Sequence, residues 1–251
     1  MWEAVSPAVC TTQPTISMAK HGKKYLAAKK VLEGVTACDL DEAVALLKKT
    51  ATTKFDASCE IHMRLGVDPT HADQMARSTV ALPNGTGKDV RVIAFVAEDK
   101  VKEAKASGAI KAGMEDLIEE IQKGFLDFDV AVATPDAMKS LGKIAKILGT
   151  KGLMPNPKAG TVTIEIGKTV AEIKKGKVEY RTDKQAQIHQ IFGKSSFEEG
   201  KLKENLAAFI KAVVDNKPPS VKGNYVRNIS VATTMGPGIK LDLAKVMAAL
   251  K

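Results

Sequence analysis

The pattern of hydrophobic and polar residues divides the chain into three parts. In the first part, Asp39 and Glu42 have the spacing of a capping box and open an amphipathic helix. The apolar side of that helix is formed by Leu40, Ala43, Val44 and Leu47. Apolar residues then alternate with polar ones over Cys59–Leu65, which predicts a strand with one buried and one exposed face.

The middle part has a different pattern. Two nearly continuous apolar runs, Val90–Val96 and Val130–Ala133, are typical of buried strands. Helices are predicted near Asp99–Ser107 and Glu115–Lys123, and from Pro135 to about Leu148. Strands that alternate with helices in this way predict a small α/β unit built on parallel strands.

After Lys177 the half-exposed strand pattern returns. Strands are predicted at Val178–Arg181, Ile188–Phe192 and Tyr225–Thr233, with a helix around Leu202–Val213. Outer segments that resemble each other and flank a different middle favour one domain inserted into another. Composition alone does not show that the outer segments meet.

Two loops have an unusual composition. The first, Leu148–Thr161, holds three glycines, two prolines and two lysines around Leu153 and Met154. Proline and glycine exclude a regular helix or strand, and the apolar pair would be wasted in a solvated linker. We therefore expect an ordered loop with an apolar anchor and a basic surface, a common setting for binding residues; the alternative is a plain connector. The second loop is Thr233–Gly238.

Charge points to a polyanionic partner. The chain has 38 Lys and Arg against 29 Asp and Glu in 251 residues, a net charge of +9. Seven Phe, three Tyr and one Trp are few for a stacking platform, which favours recognition of folded RNA through its backbone and shape. No apolar run approaches the ~18 residues of a membrane span, so no membrane partner is expected.

Metal, redox and catalytic chemistry find little support. The cysteines have no paired spacing and the histidines are scattered: Cys10, Cys38, Cys59, His21, His62, His71 and His189. Neither a zinc site, a disulfide framework nor a cofactor is expected, and a reducing compartment is the default. A catalytic role for His189 would need a nucleophile and an orienting acid, and the sequence indicates neither.

The glycine-rich segment Asn84–Lys88 is a candidate phosphate loop that fails inspection. Asp89 follows Lys88 where a Ser or Thr is needed, and the segment precedes a strand instead of following one. A hinge is better supported, because glycines absorb backbone rotation between rigid bodies.

Short motifs from Met18 to about Leu243 occur in one particular order. They are Lys20–Lys23, Lys54–Phe55, Leu65–Asp68, Asp73–Gln74, Leu82–Pro83, Phe128–Asp129, Ala133–Asp136, Met154–Lys158, Gly160–Val162, Arg181–Lys184, Ile188–His189 and Thr233–Pro237. Together they resemble the ribosomal protein L-one family of the large-subunit stalk, in its bacterial form. Residues 1–17 precede this pattern and are expected to be a disordered tail or the product of an upstream start codon.

The resemblance implies an α/β (α+β) fold of two domains. Residues 18–85 and 177–251 are expected to form a split two-layer α/β domain that binds RNA. Residues 86–176 are expected to form an inserted three-layer, Rossmann-like α/β domain, with hinges near Gly85 and Gly176.

The resemblance also implies a function and partners. We expect a cytoplasmic structural protein of the ribosome, not an enzyme, that binds the stalk of the large-subunit rRNA and is a monomer away from the ribosome. It would assist release of deacylated tRNA from the exit site and repress its own mRNA. Two alternatives stay open: an extraribosomal regulator that only binds mRNA, and a nucleotide-binding α/β enzyme. The enzyme would need a glycine-rich turn after Val90–Val96, where Ala97–Lys100 stands.

The family's RNA contacts can be carried over by residue. Lys54 would reach a phosphate, the Phe55 ring would pack on nucleotides, and Asp183 would accept hydrogen bonds from ribose or base donors. In the second loop, threonine hydroxyls would pair with 2′-OH groups, Gly236 would allow close approach and Met235 would adapt to the RNA surface. An ordinary strand end with a Gly-Pro turn is the alternative for that loop. The full set is Lys54, Phe55, Ser58, Arg181, Asp183, Lys184, His189, Asn228, Thr233, Thr234, Met235 and Gly236.

Overall fold

The structure is a computed structural model that describes residues 22–221 and 223–249, with all side chains in those ranges except two, at positions 72 and 98. The predicted tail at residues 1–17, Cys10 and His21 lie outside the described residues. The first elements are α1 (Lys23–Val31), α2 (Leu40–Thr50), β1 (Ser58–Leu65) and β2 (Arg77–Ala81). The middle elements are β3 (Val92–Phe95), α3 (Glu98–Ala106), β4 (Lys111–Gly113), α4 (Glu115–Gln122), β5 (Val130–Ala133), α5 (Ala137–Leu141), α6 (Ala145–Lys151) and α7 (Ile166–Lys175). The last are β6 (Lys177–Arg181), β7 (Gln187–Lys194), α8 (Glu199–Asp215), β8 (Val226–Thr233), β9 (Ile239–Lys240) and α9 (Leu243–Ala249).

A four-stranded antiparallel sheet in the order β7-β1-β8-β9 joins the two ends of the chain. The inward side chains of β1 are buried and its outward ones are not, which confirms the predicted half-exposed strand. Helices α2 and α8 cover the inner face, where Leu47, Leu206 and Phe209 share one core with Ile61 and Met63. Strands β2 and β6 form a separate antiparallel pair at the edge of the same core.

The middle of the chain forms a three-stranded parallel sheet in the order β4-β3-β5. Every residue of β3 is buried, since the two sides of the strand enter different cores. Ile93 and Phe95 pack with α4, α5 and α6, while Val92 and Ala94 pack with α3 and α7. Helices on both faces make three layers, and the predicted α/β class with parallel strands is confirmed. The domain boundaries at residues 85/86 and 176/177 stay a prediction.

Two local predictions are wrong. The helix expected from Pro135 to Leu148 is broken into α5, a 3-10 turn at Gly142–Ile144 and α6, in line with the low helix propensity of glycine. Helix α2 begins where expected, but the side chain of Asp39 makes no capping hydrogen bond. The Asp39 carboxylate instead lies 3.0 Å from Lys245 Nζ of α9.

The glycine- and proline-rich segment after α6 is an ordered loop. Leu153 and Met154 pack against the α4–α6 core, and Lys158 is exposed. Asn156 organises the turn, since its side chain accepts from Lys158 N at 2.9 Å and its backbone N donates to Thr161 Oγ1 at 2.8 Å. The apolar anchor and basic surface expected of this loop are therefore present.

The two connections to the middle segment run side by side. Gly85 and Gly176 both have left-handed backbone angles, with φ of 68° and 107°. Leu82 N donates to Gly176 O at 3.1 Å, and Asn205 of α8 holds the other connection. The Asn205 amide donates to Gly85 O at 2.8 Å and its carbonyl accepts from Asn84 N at 3.0 Å.

Among the described residues, none of the helices combines the length and hydrophobicity that a membrane crossing needs.

Candidate nucleic-acid interface

Seven of the predicted RNA-contact residues gather at one end of the four-stranded sheet. Strand β1 pairs antiparallel with β8, so the first residues of β1 lie beside the last residues of β8; the register places Cys59 opposite Thr233. The α2–β1 loop with Lys54 and Phe55 leads into the same place, and Lys194 of β7 donates to Ser58 Oγ at 3.0 Å. The seven residues are Lys54, Phe55, Ser58, Thr233, Thr234, Met235 and Gly236.

The loop that carries Phe55 is fixed by Asp56. The Asp56 carboxylate accepts hydrogen bonds from the hydroxyls of Ser195 and Ser196, both at 2.9 Å, and from Ser196 N at 3.0 Å. These bonds, that of the Ser196 hydroxyl foremost, lower the pKa of Asp56 and keep it ionised. Phe55, next to this fixed residue, is 59% exposed. An exposed ring on an anchored loop is a suitable stacking surface for a nucleotide.

The two threonine hydroxyls of the second loop face the protein in this structure. Thr234 Oγ1 accepts from Ser58 N at 3.1 Å and lies 3.2 Å from Ser58 O, to which it donates. Thr233 is only 3% exposed, and its hydroxyl has no hydrogen-bond partner among the described residues. In this geometry the Thr233 hydroxyl is buried away from any ribose 2′-OH, and the Thr234 hydroxyl is bonded to the Ser58 backbone. The hydroxyl of Thr234 closes the loop onto β1 instead.

Met235 is the residue that this loop presents to solvent. Its φ is 67°, an uncommon left-handed angle for a residue with a side chain, and 74% of its surface is exposed. Gly236 N closes the turn by donating to Thr233 O at 2.8 Å. A β-carbon at Gly236 would overlap the Thr233 hydroxyl, so glycine is required by packing inside the loop. The strained turn points a flexible thioether outward, a setting that suits a binding surface.

Four other predicted residues lie at or near the turn between β6 and β7. Asp183 shapes this turn, because its Oδ1 accepts from Gln185 N at 2.8 Å and from Gln187 N at 2.7 Å. Its second oxygen lies 3.8 Å from His189 Nε2. Arg181 and Lys184 are exposed on either side of Asp183. One oxygen of Asp183 is therefore structural, and the other faces the open side of the sheet.

Asn228 and His189 belong to rows of outward side chains that cross the sheet. His189 of β7 lies opposite His62 of β1, and His62 lies opposite Ser230 of β8. In the next row, Arg64 lies between Gln187 and Asn228. Glu60, His62, Arg64 and Lys240 of β9 share this open face, and sequence reasoning did not select them. The available signal was the alternation along β1, which already separated its polar face.

The candidate residues are thus spread over an extended surface and do not share one pocket. Ser58 and Arg64 are six positions apart on one strand, which corresponds to roughly 20 Å. The surface holds more cations than anions: Lys54, Arg64, Arg181, Lys184, Lys194 and Lys240 against Asp56, Glu60 and Asp183. A long, shallow and mostly basic face suits a folded nucleic acid better than a small substrate.

Metal or thiol chemistry is not supported by the described part of the chain. No group of three or more His, Cys, Asp or Glu in it could hold a metal ion. Cys38 and Cys59 are free and buried, and burial raises the pKa of Cys59 to about 11. A thiol that stays protonated at neutral pH is a poor nucleophile.

Comparisons with known proteins identify the family of this chain. The model of the family described as "Ribosomal protein L1p/L10e family" matches residues 47–237, a range that contains all twelve predicted contact residues. The chain is also similar to a protein of Thermosipho africanus (strain TCF52B) named "Large ribosomal subunit protein uL1". The two are 51% identical over 228 residues, which cover 90% of this chain and 98% of that relative.

Proposed function

The chain belongs to the ribosomal protein L1 family, and from this premise we propose that it is a cytoplasmic structural protein of the large ribosomal subunit that binds rRNA. It is not an enzyme. The observation that carries the proposal is the sheet β7-β1-β8-β9, which brings exposed predicted contact residues from both ends of the chain, among them Phe55, His189 and Asn228, to one side of the molecule. Cations along such a face neutralise phosphates and release counterions, which supplies most of the affinity for RNA.

The RNA we propose is the stalk region of the large-subunit rRNA. The two-layer unit, residues 18–85 and 177–251, holds the site in this proposal, and residues 86–176 are the carried domain. Support comes from Phe55 and Met235, two exposed apolar side chains on anchored loops at the same end of the sheet. The Ser58–Thr234 hydrogen bonds join the two loops.

We also propose that the protein assists release of deacylated tRNA from the exit site of the ribosome. This role is supported by exposed lysines along α5, α6 and the ordered loop that follows: Lys139, Lys143, Lys146, Lys151 and Lys158. Such a strip suits the phosphate backbone of a second RNA, away from the open sheet.

A third proposed role is repression of the protein's own mRNA. An mRNA segment that mimics the stalk would occupy the same open face, so mRNA and rRNA would compete for one molecule of protein. The prediction that the protein is a monomer away from the ribosome fits a one-to-one competition.

Sedimentation tests the proposal against its alternative. Tagged protein in a cell extract should travel with large subunits through a sucrose gradient and should bind a stalk rRNA fragment in isolation. A regulator that acts only on mRNA would stay at the top of the gradient in high and low magnesium alike. Protein that neither sediments with subunits nor binds the fragment would overturn the proposal.

A further inference from the structure

Two histidines on the open face are joined directly. His62 of β1 and His189 of β7 are cross-strand neighbours, and their Nδ1 atoms lie 2.8 Å apart. At this distance one nitrogen must carry a proton and the other must present a lone pair. The pair therefore accommodates one proton between the rings, and protonation of both Nδ1 atoms would break the contact.

Each outer nitrogen of the pair faces a carboxylate. His189 Nε2 lies 3.8 Å from Asp183 of the β6–β7 turn, and His62 Nε2 lies 4.0 Å from Glu60 of β1. The opposing charges on the same face are Arg64, two positions along β1, and Lys240, which lies beyond Ser230 on β9. The carboxylates favour one added proton, whereas the neighbouring cations and the first imidazolium oppose a second.

The two rings are not equivalent. The side chain of His62 is 32% exposed and that of His189 is 49% exposed. Burial, and next the charge of His189, lower the pKa of His62, against a smaller raising effect of Glu60. His62 therefore favours its neutral form, in which its Nδ1 can present a lone pair to His189.

We propose that His62 is a positioning residue for His189 in RNA binding. Neutral His62 accepts the Nδ1–H of His189, which fixes the His189 ring on the open face with its Nε2 beside Asp183. Phosphates of an RNA bound on that face then favour the protonated form of the pair. RNA binding then takes up one proton, so affinity rises as the pH falls from about 8 to 6. The inference rests on the proposed RNA-binding function and adds its regulation by pH.

The test measures affinity of the full chain for a stalk rRNA fragment across that pH range at constant salt. The parent should gain affinity as pH falls, with a slope of log affinity against pH that does not exceed one proton. His189→Gln should remove the gain. His62→Leu should move its midpoint down by at least half a pH unit, because no acceptor remains for Nδ1–H.

Two further variants separate positioning from mere stability. His62→Asn should restore the parent profile, since its carbonyl oxygen can stand where Nδ1 stood. His71→Gln, on the β1–β2 connection, should leave the profile unchanged. If His62→Leu folds and keeps the parent midpoint, His62 only stabilises the sheet and the inference is wrong.

NMR of the parent keeps the test independent of any variant. Long-range 15N–1H spectra of labelled histidine should show a proton on Nδ1 of His189 and a lone pair on Nδ1 of His62. Protons on Nε2 of both neutral rings, without a shared Nδ1 proton, would overturn the inference. A parent that binds the fragment with no pH dependence would do the same, whereas a parent that binds at no pH would instead overturn the proposed function.

Discussion

Gly85 and Gly176 lie back to back, so closely that a β-carbon on Gly176 would overlap the Cα of Gly85. Both residues adopt left-handed φ angles, which other residues enter only at a cost. The two connections between the middle segment and the rest of the chain therefore meet at one point. Two connections that cross at one point can act as a pivot for rotation of one body against the other, which is the motion of the predicted hinge.

The first prediction concerns this contact. Gly176→Ala should lower the free energy of unfolding by about 2–3 kcal/mol, because it adds a clash to left-handed strain. Gly124→Ala is the matched control, since its φ of 105° is nearly the same and nothing lies within 4 Å of its added β-carbon. The control should cost only about 1–2 kcal/mol. Equal losses in urea unfolding would mean that the glycine pair relaxes freely.

Asn205 should be as important as the glycines. It is fully buried, and its amide donates to both Gly85 O and Phe192 O at 2.8 Å. Asn205→Ala should cost roughly 3 kcal/mol in chemical denaturation, because several buried groups lose their partner together. Asn216→Ala at the exposed end of the same helix removes a bond to Ala212 O and an interaction with the Tyr180 hydroxyl, and should cost less, about 1 kcal/mol. Similar losses for both variants would contradict a clamp at Asn205.

Phe55 should contribute to RNA affinity and not to stability. Phe55→Ala should weaken binding to the stalk fragment by about 1–3 kcal/mol, the usual contribution of one stacked base, with an unchanged melting temperature. Ile164→Ala replaces another highly exposed apolar residue, far along the chain in the middle segment, and should bind like the parent. If Phe55→Ala also binds like the parent, the ring does not touch RNA.

Lys54 should act through charge. Lys54→Ala should reduce the slope of log affinity against log salt by about 0.7–0.9, which is the release of one condensed counterion. Lys123→Ala removes an exposed lysine that pairs only with Glu119 on α4 and should leave the slope unchanged. The measurement is a salt titration of both variants and the parent. Equal slopes of log affinity against log salt for Lys54→Ala and the parent would exclude a phosphate contact at Lys54.

Thr234 should affect stability as well as binding, in contrast to a threonine that touches only RNA. Thr234→Ala removes two hydrogen bonds to the Ser58 backbone and should lower the free energy of unfolding by about 1–2 kcal/mol. Thr150→Ala, whose exposed hydroxyl bonds to Ile147 O, should change it by less than about 0.5 kcal/mol. Thr234→Ala with parent stability and weakened RNA binding would show that the hydroxyl leaves Ser58 when RNA binds.

The sequence by itself determined the elements whose pattern is local. The alternation in β1, the apolar run of β3 and the long amphipathic helix α8 depend only on near neighbours, and all three lie where they were predicted. Very short strands such as β4 and β9 carry too few residues to show a period, and the sequence patterns did not reveal them. The family resemblance supplied the candidate contact residues in the same way, from motifs that each occupy a few consecutive positions.

Only the tertiary structure decided what those residues do to each other. The hydroxyl of Thr234 is bound to Ser58, 176 positions away, and His189 meets His62 across 127 positions. Both contacts follow from the antiparallel registers of β1 with β8 and β7, and a shift of one residue would turn these side chains to the other face. A register between distant strands is set by the shared core beneath them, which no local pattern contains.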